Sequence, residues 1–573
     1  MPVHNSEVAE IFGQVADLLE IEGTNQFRVR SYRQAAETAT ALSRSLEDMV
    51  SEGEDLTELS VIGEDLAGKI EEVVHTGGLR QLEEIEARTP PTLTDMLDVE
   101  GLGPKRVRQI HDELGVTTLD ELEKAARGEK IRKLEGLGPK IESDILDDLE
   151  QAGGEEKRTL LRDAEQVVEP LLDYLRKNEK IEQVVAAGSY RRRKQTVGDL
   201  DLMATSDKGQ QVIDYFVDYE DVDQVESQGE TRSTVTLRTG LQVDLRVVAD
   251  ESFGAALLYL TGSRAHNLNL RQMAVERDLK INEYGVFDRK ERIAGETESE
   301  IYDIFDLPYI EPELREDRGE IEAGLEGDLP ELVTLEDLRG DLHVHTTSSD
   351  GHASLEEIVD AARERGYEYL AITDHSEFIG ITQGMDADQL AKQIDEIKCL
   401  NDDLDDIRIL KSVELDILED GSFALPDDIL KRLDLRVCSI HSKFDLAREK
   451  QTERVLRAMD SPYFNIFSHP TGRRINERPP YDIDLERVME AALKRGCYLE
   501  VNASPDRLDL GDSACKLAKD MGLKVAISTD THRIPHLDNM RFGVGQARRG
   551  WLSAEDVLNT RGWNDLQKLL ERD

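Results

Sequence analysis

Through positions 1–86 apolar residues recur every three or four places in short runs, a spacing that predicts short amphipathic helices. One phrase, Leu59-Ser-Val-Ile-Gly-Glu-Asp-Leu-Ala-Gly-Lys-Ile70, puts a glycine turn in front of a new helix. Related phrases follow at 99–107 and 134–141. The last two share Glu-Gly-Leu-Gly-Pro-Lys, so the phrase is an internal repeat. After the pair Gly153-Gly154 the period changes. Ile181–Ala187 reads as a strand, Asp199-Leu-Asp-Leu202 alternates, and Ser233–Arg238, a Thr239-Gly240 turn and Leu241–Val247 form a predicted β-hairpin. Residues 308–340, with Pro308, Pro312, Pro330 and many acids, read as a tether with a helical middle. From Gly340 seven short apolar strands alternate with amphipathic helices, at 341–345, 369–373, 407–414, 435–440, 463–468, 498–502 and 524–528. That alternation predicts a parallel sheet, and the strand count a barrel.

At 573 residues the chain is long enough for several separate cores. Its 121 acidic and 71 basic side chains give a formal charge of −50, with the acids spread through every segment and arginine well ahead of lysine. The spread favours a surface adapted to a salty cytoplasm over an acidic disordered tail, because apolar periodicity persists throughout. Cys399, Cys438, Cys497 and Cys515 form no Cys-x-x-Cys pair and read as reduced thiols of an intracellular protein. No apolar run is long enough to span a bilayer and no leader pattern opens the chain, so a cytoplasmic location is expected.

The first candidate chemistry lies at 188–202. A Gly-Ser turn at Gly188-Ser189, followed by Arg191, Arg192 and Arg193, offers backbone N–H, hydroxyl and guanidinium donors suited to a triphosphate. Asp199 and Asp201 point to one face of a strand while Leu200 and Leu202 point to the other. Adjacent carboxylates repel unless a cation lies between them, and Mg²⁺ shared with substrate phosphates is the natural resolution. On the hairpin, Asp244 and Arg246 share the polar face, which makes Asp244 a third carboxylate for two Mg²⁺ or Mn²⁺ ions.

In the repeats, Gly63, Gly101, Gly103, Gly136 and Gly138 permit the turn, and proline favours the first helical position. The freed N–H groups then face an anion, with Lys105 and Lys140 following. This helix-hairpin-helix pattern grips DNA phosphates without reading bases, and a short-range grip eases the conflict with the net charge.

Gly-Ser-x-Arg-Arg, Gly-Asp-x-Asp, the later Asp244, Tyr259-Leu-Thr-Gly-Ser…Asn267…Arg271 and Asn282-Glu-Tyr stand in the order found in family X DNA polymerases. The resemblance runs from about residue 1 to about 320. It implies a polymerase beta-like α+β palm and thumb behind an α-helical N-terminal region. It further implies metal ligation by Asp199, Asp201 and Asp244, and triphosphate binding by Gly188, Ser189, Arg192 and Gly198. Tyr259, Asn267 and Arg271 would line the sugar, base edge and template. Leu260 departs from the family's Tyr-Phe pair beside the nucleotide sugar. Lys69 matches the Schiff-base lysine of the polymerase beta lyase region. Asp65, four residues earlier on the same helical face, would stabilise its ammonium, so a phosphate contact is the competing reading.

In the barrel, His343, His345, Asp350, His375, Glu414, His441, His469, Asp530 and His532 fall at or just past strand ends, a donor set that points to metal. The same positions resemble the polymerase and histidinol phosphatase (PHP) domain family, which implies a (β/α)7 barrel holding up to three Zn²⁺ or Mn²⁺ ions that activate water against phosphorus. By that resemblance His343, His345, Glu414 and Asp530 form one site, and Glu414, His441 and His469 a second. Asp350, His375 and His532 form the third. Arg507 is placed to position a phosphate. His352 and His536 have no motif role.

The expected domains are a helical lyase-like region at 1–86, fingers at 87–153, palm at 154–250, thumb at 251–310, linker at 311–339 and PHP domain at 340–573. The expected function is gap-filling DNA synthesis from dNTPs in repair, joined to 3′–5′ exonuclease or abasic-site cleavage by the barrel. The expected protein is a monomer acting on gapped, nicked or 3′-recessed duplex, with repair proteins as partners. The alternatives are a DNA phosphoesterase whose polymerase half is only a DNA-binding sleeve, and a scaffold with structural metals.

Overall fold

A computed structural model describes residues 5–41, 46–59, 61–86, 88–99, 102–128, 130–134, 136–138, 140–143, 145–146, 158–377 and 384–572. The chain divides into two compact units. The first comprises Met1–Thr159, Gln166–Gly188 and Gly198–Tyr309; the second comprises Leu160–Glu165, Ser189–Val197 and Ile310–Asp573.

The first unit begins with helices whose apolar stripes meet in two cores. The repeated phrase is a repeated structure. Ile62, Leu102 and Leu137 are all buried, and their N–H groups donate to the carbonyls of Leu59, Val99 and Leu134 at 3.2, 2.9 and 3.2 Å. Each turn leads into a helix where it is described. Gly63 caps Glu64–Thr76 and Gly103 caps Pro104–Leu114, with Pro104 in the first helical turn. The left-handed turn position is Gly136 (φ 77°) in the third repeat and Val61 (φ 62°) in the first, a strained choice for a β-branched residue.

Beyond these helices lies a sheet of five strands: β1 Gln183–Ala186, β2 Asp199–Thr205, β3 Val222–Gln228, β4 Arg232–Leu237 and β5 Gln242–Val248. Their order is β1-β2-β5-β4-β3, with β2 and β5 parallel and the other pairs antiparallel. The predicted hairpin is β4–β5. Strand alternation buries Leu200 and Leu202 on β2 and Val243, Leu245 and Val247 on β5, leaving the acids on the opposite face. A small antiparallel sheet follows, made of β6 Lys280–Asn282, β7 Gly285–Asp288 and β8 Glu291–Ala294.

The second unit is the (β/α)7 barrel. Its strands are β9 Gly340–Val344, β10 Tyr369–Ile372, β11 Arg408–Lys411, β12 Glu414–Asp416, β13 Val437–Ser439, β14 Ile466–Phe467, β15 Tyr498–Asn502 and β16 Val525–Ser528. All adjacent pairs within the two ladders are parallel. Parallel bridges His375–Glu414 and Val344–Thr531 join the ladders into a ring. The third strand, expected to be continuous over 407–414, bends between β11 and β12. The Lys411 carbonyl accepts from Asp434 and Leu435 at 2.8 and 3.3 Å, and that of Val413 takes over for Val437 at 3.1 Å.

One face of the strands packs on the surrounding helices. The other face, with Leu342, Ala371, Leu410 and Ala526, packs with Leu566 and Leu570 of the C-terminal helix Trp563–Leu570. Residues 311–339, expected as a linker, carry helix Glu320–Glu326 between short 3₁₀ turns, with Arg315 and Glu320 fully buried. Among the described residues no helix is long and apolar enough to cross a membrane.

Candidate active sites

In the first unit the parallel ladder pairs Asp201 directly with Asp244 and Asp199 with Gln242, so the three acids share one face of β2 and β5. Asp244 is held in place: Thr234 Oγ1 donates to its Oδ1 at 2.5 Å, and Gln242 Nε2 lies 3.3 Å from Oδ2. Gly188 (φ 57°) stands against Asp201, because a β-carbon there would collide with the carboxylate. A β-carbon at Gly198 would meet Arg158 Nη1 at 3.0 Å. Three oxygen-donor acids on one face suit a hard divalent cation. Among the described residues, however, the groups of metal-ligand atoms within 4.8 Å of one another all lie in the barrel.

Tyr259, Asn267 and Arg271 come together. Asn267 Nδ2 donates to the Tyr259 carbonyl at 2.8 Å, and the Arg271 guanidinium lies 5.9 Å from the Tyr259 ring centre. They line a small pocket with Leu258, Ile281 and Asn282. Leu260 packs against the apolar cluster of Ala187, Met203 and Val248. Ser189 and Arg192 group with the second unit, where Arg192 Nε donates to Glu316 Oε1 at 2.9 Å and the Arg192 carbonyl accepts from Arg549 Nη1 at 2.8 Å. Burial raises the Glu316 carboxyl, but Arg549, Arg192 and Lys194 outweigh it and hold the group below its ordinary value.

In the hairpins Lys105 and Lys140 are exposed, as phosphate contacts must be; Gly101 lies outside the described residues. The first repeat differs. Glu64 and Asp65 stand where the others have proline and lysine, and acids in a first helical turn stabilise the helix but repel phosphate. Lys69 pairs with Asp65 and lies 5.2 Å from the Tyr32 ring centre. Burial lowers its pKa, yet Asp65 and Tyr32 leave it raised, so Lys69 is an ammonium at neutral pH.

The barrel brings all nine predicted ligands to one mouth: His343 lies within β9 and Glu414 opens β12, while the other seven lie past the carboxyl ends of their strands. Glu414 is the hub. Its Oε1 lies 3.0 Å from His469 Nε2 and 3.1 Å from His441 Nε2. Its Oε2 lies 2.9 Å from His375 Nδ1 and 3.5 Å from both His343 Nε2 and His345 Nε2. The donor atoms cluster as His345, Asp350, His375 and His532; as His343, His345 and Asp530; and as His375, Glu414 and His441. His345 therefore faces two groups, and His375 joins Glu414 as well as Asp350. That overlap follows from an imidazole's two nitrogens and goes beyond the expected arrangement, in which Glu414 alone belongs to two sites.

His343 Nε2 and both nitrogens of His345 are buried with no hydrogen-bond partner. Such orphaned imidazole nitrogens are costly in a protein interior and fit a divalent metal. Burial and the neighbouring His532 and His375 push His345 down to about 4, so its ring is neutral and ready to ligate. Burial would raise Glu414, yet His375, His441 and His343 hold it well below its ordinary value.

Several supporting residues escaped the sequence reading. Asp416 Oδ1 accepts from His441 Nδ1 at 3.0 Å, Ser439 Oγ donates to Glu414 Oε1 at 2.5 Å, and Glu500 Oε1 accepts from His343 Nδ1 at 2.7 Å. Asp416 had a signal, since it lies two places after Glu414 on one strand face. Arg507 Nε lies 3.7 Å from Asp530 Oδ2, and its Nη1 is buried without a hydrogen-bond partner.

Four family descriptions match parts of the chain: helix-hairpin-helix domain at 3–79, SAM-like helix-hairpin-helix tandem at 93–151, DNA polymerase beta thumb at 256–316 and PHP domain at 341–504. The chain is 36% identical over 574 residues to the DNA polymerase/3′-5′ exonuclease PolX of Bacillus subtilis, covering 100% of both. It is 33% identical over 230 residues to a probable phosphatase of Caldanaerobacter subterraneus, across 38% of this chain and 82% of that protein. With DNA polymerase lambda of Arabidopsis thaliana the identity is 24% over 349 residues, 55% of this chain and 62% of that one. The match along its whole length, with helix-hairpin-helix, polymerase beta thumb and PHP segments in order, makes the chain a member of the PolX family, the family X DNA polymerases that carry a C-terminal PHP domain.

Proposed function

We propose that the chain is a two-site DNA repair enzyme, extending a primer in one unit and hydrolysing 3′-terminal phosphodiesters in the other. The observation that carries this reading is that each compact unit holds its own ligand set, three carboxylates on one sheet face and, at one barrel mouth, eight clustered donors with His469 against Glu414.

Asp199, Asp201 and Asp244 would hold two Mg²⁺ or Mn²⁺ ions, which neutralise the triphosphate and favour the primer alkoxide when bound. Gly188 and Gly198 let backbone approach the phosphates, with Ser189 and Arg192 as further donors. Tyr259, Asn267 and Arg271 position sugar, base and template. Gly101, Gly103, Lys105, Gly136, Gly138 and Lys140 contact the DNA backbone, and Gly63 makes a weaker contact because Glu64 and Asp65 follow it. The domain boundaries at 86, 153, 250, 310 and 339 belong to this reading, as does a monomer.

In the barrel the nine ligands would hold up to three Zn²⁺ or Mn²⁺ ions, which supply a nucleophilic water and stabilise the departing oxygen when bound. Asp416 orients the His441 ring, and Arg507 offers its Nη1 to the scissile phosphate. The likeness of this segment to a probable phosphatase supports phosphoester hydrolysis there.

Purified protein, given a 3′-recessed duplex, dNTPs and Mn²⁺, should extend the primer; without dNTPs it should shorten it. A phosphoesterase with a DNA-binding sleeve is favoured by one observation, the engagement of Arg192 by Glu316. Shortening without extension would establish that second reading.

A further inference from the structure

Glu500 lies in the middle of β15, fully buried, and belongs to no ligand group described above. Its two oxygens have different partners. Oε1 accepts from His343 Nδ1 at 2.7 Å. Oε2 accepts from Ser468 Oγ at 2.8 Å, from the His469 backbone N–H at 2.8 Å and from Asn502 Nδ2 at 3.1 Å. Asn502 Nδ2 also lies 3.1 Å from Asp530 Oδ2. One carboxylate thus touches His343 and His469 directly and reaches Asp530 through a single amide.

An ionised carboxylate only accepts hydrogen bonds. The ring proton of a neutral His343 must therefore sit on Nδ1. That leaves Nε2 as a bare lone pair, 3.5 Å from Glu414 Oε2 and 3.6 Å from Asp530 Oδ1, buried and without a hydrogen bond. We propose that Glu500 is a positioning residue that locks His343 in the Nδ1–H tautomer and keeps His343, His469 and Asp530 in register for a divalent cation. The proposal rests on the barrel being a metal-dependent phosphoesterase.

Glu500→Gln separates this role from plain core packing, because the side chain keeps its size. Three donors crowd the Oε2 position, so the amide nitrogen is driven to the His343 side. There it donates to Nδ1 and moves the ring proton to Nε2, which can then no longer ligate.

The test uses the full chain, stripped with chelator and titrated with Mn²⁺, alongside kcat and KM for shortening a 3′-recessed duplex and thermal melting of the chelated protein. Glu500→Gln should weaken Mn²⁺ binding about 10- to 100-fold, the range for lost outer-shell partners of metal ligands. It should lower kcat with little change in KM, and excess Mn²⁺ should restore part of the loss. Unchanged Mn²⁺ affinity in Glu500→Gln, with or without a lower melting temperature, would overturn the proposal alone. Wild-type protein that neither binds Mn²⁺ nor shortens the duplex would overturn the barrel reading and the proposal with it.

Discussion

Gly188 lies so close to the Asp201 carboxylate that no β-carbon fits between them. The contact ties the turn between β1 and β2 to the middle of the three acids, and the φ of 57° at Gly188 adds a second reason for glycine. Gly188→Ala must either displace Asp201 or distort the turn, at a backbone cost of about 1–2 kcal/mol. A displacement of about 1 Å in a catalytic group costs on the order of a hundredfold in rate. Primer extension by Gly188→Ala should fall by about that factor while duplex shortening is unchanged, as read by a gel assay of both activities.

The hairpins are not equivalent. Lys105 and Lys140 follow helix-opening glycines, whereas Asp65 stands at the matching place in the first repeat. Lys105→Ala and Lys140→Ala should each weaken duplex binding and flatten the salt dependence by about one phosphate contact. Asp65→Lys should strengthen binding and steepen that dependence. Fluorescence anisotropy at several salt concentrations measures all three.

Lys69 is not poised as a nucleophile. Burial favours its neutral form, but Asp65 and Tyr32 raise its pKa overall, so at pH 7.5 the amine stays protonated. Borohydride reduction with an incised abasic duplex should trap no covalent adduct at that pH. An adduct lost in Lys69→Ala would contradict the assignment.

Metal uptake by the barrel should release protons. Burial opposes charge on these imidazoles, yet Glu414 and Asp350 push His375 up to about 11. Glu414 and Asp416 push His441 up to about 9, and Asp350 and Asp530 bring His532 to about 9. Raised pKa values mean that these rings carry their protons at neutral pH without metal, and a ligating nitrogen must lose its own. Mn²⁺ affinity should therefore rise between pH 6 and 8, roughly tenfold per pH unit for each proton displaced. Calorimetry in buffers of different ionisation enthalpy counts those protons; an affinity independent of pH would contradict the geometry.

Much of this was legible in the chain because it rests on short-range periodicity. Period-two alternation put Asp199 and Asp201 on one face, and the pairing of β2 with β5 then brought in Asp244. The repeated glycine phrase foretold three turns closed by the same hydrogen bond. What escaped depends on contacts between residues far apart in sequence. Glu500 is 157 residues from His343, and its strand neighbours Leu499 and Val501 give no hint of an imidazole partner. Arg192 reads as a triphosphate donor from its turn alone, whereas Glu316, 124 residues on, engages it in the second unit. The acidic, proline-marked stretch 311–339 reads as a tether because its composition hides the buried Arg315, whose Nε donates to the Ile310 carbonyl at 2.9 Å.

Two substitutions, compared on one 3′-recessed duplex in Mn²⁺ and molar potassium chloride, test the separation of the sites most directly. Asp199→Asn should abolish primer extension and leave shortening intact, while His343→Ala should do the reverse. A folded variant of either kind that loses both activities would contradict the account.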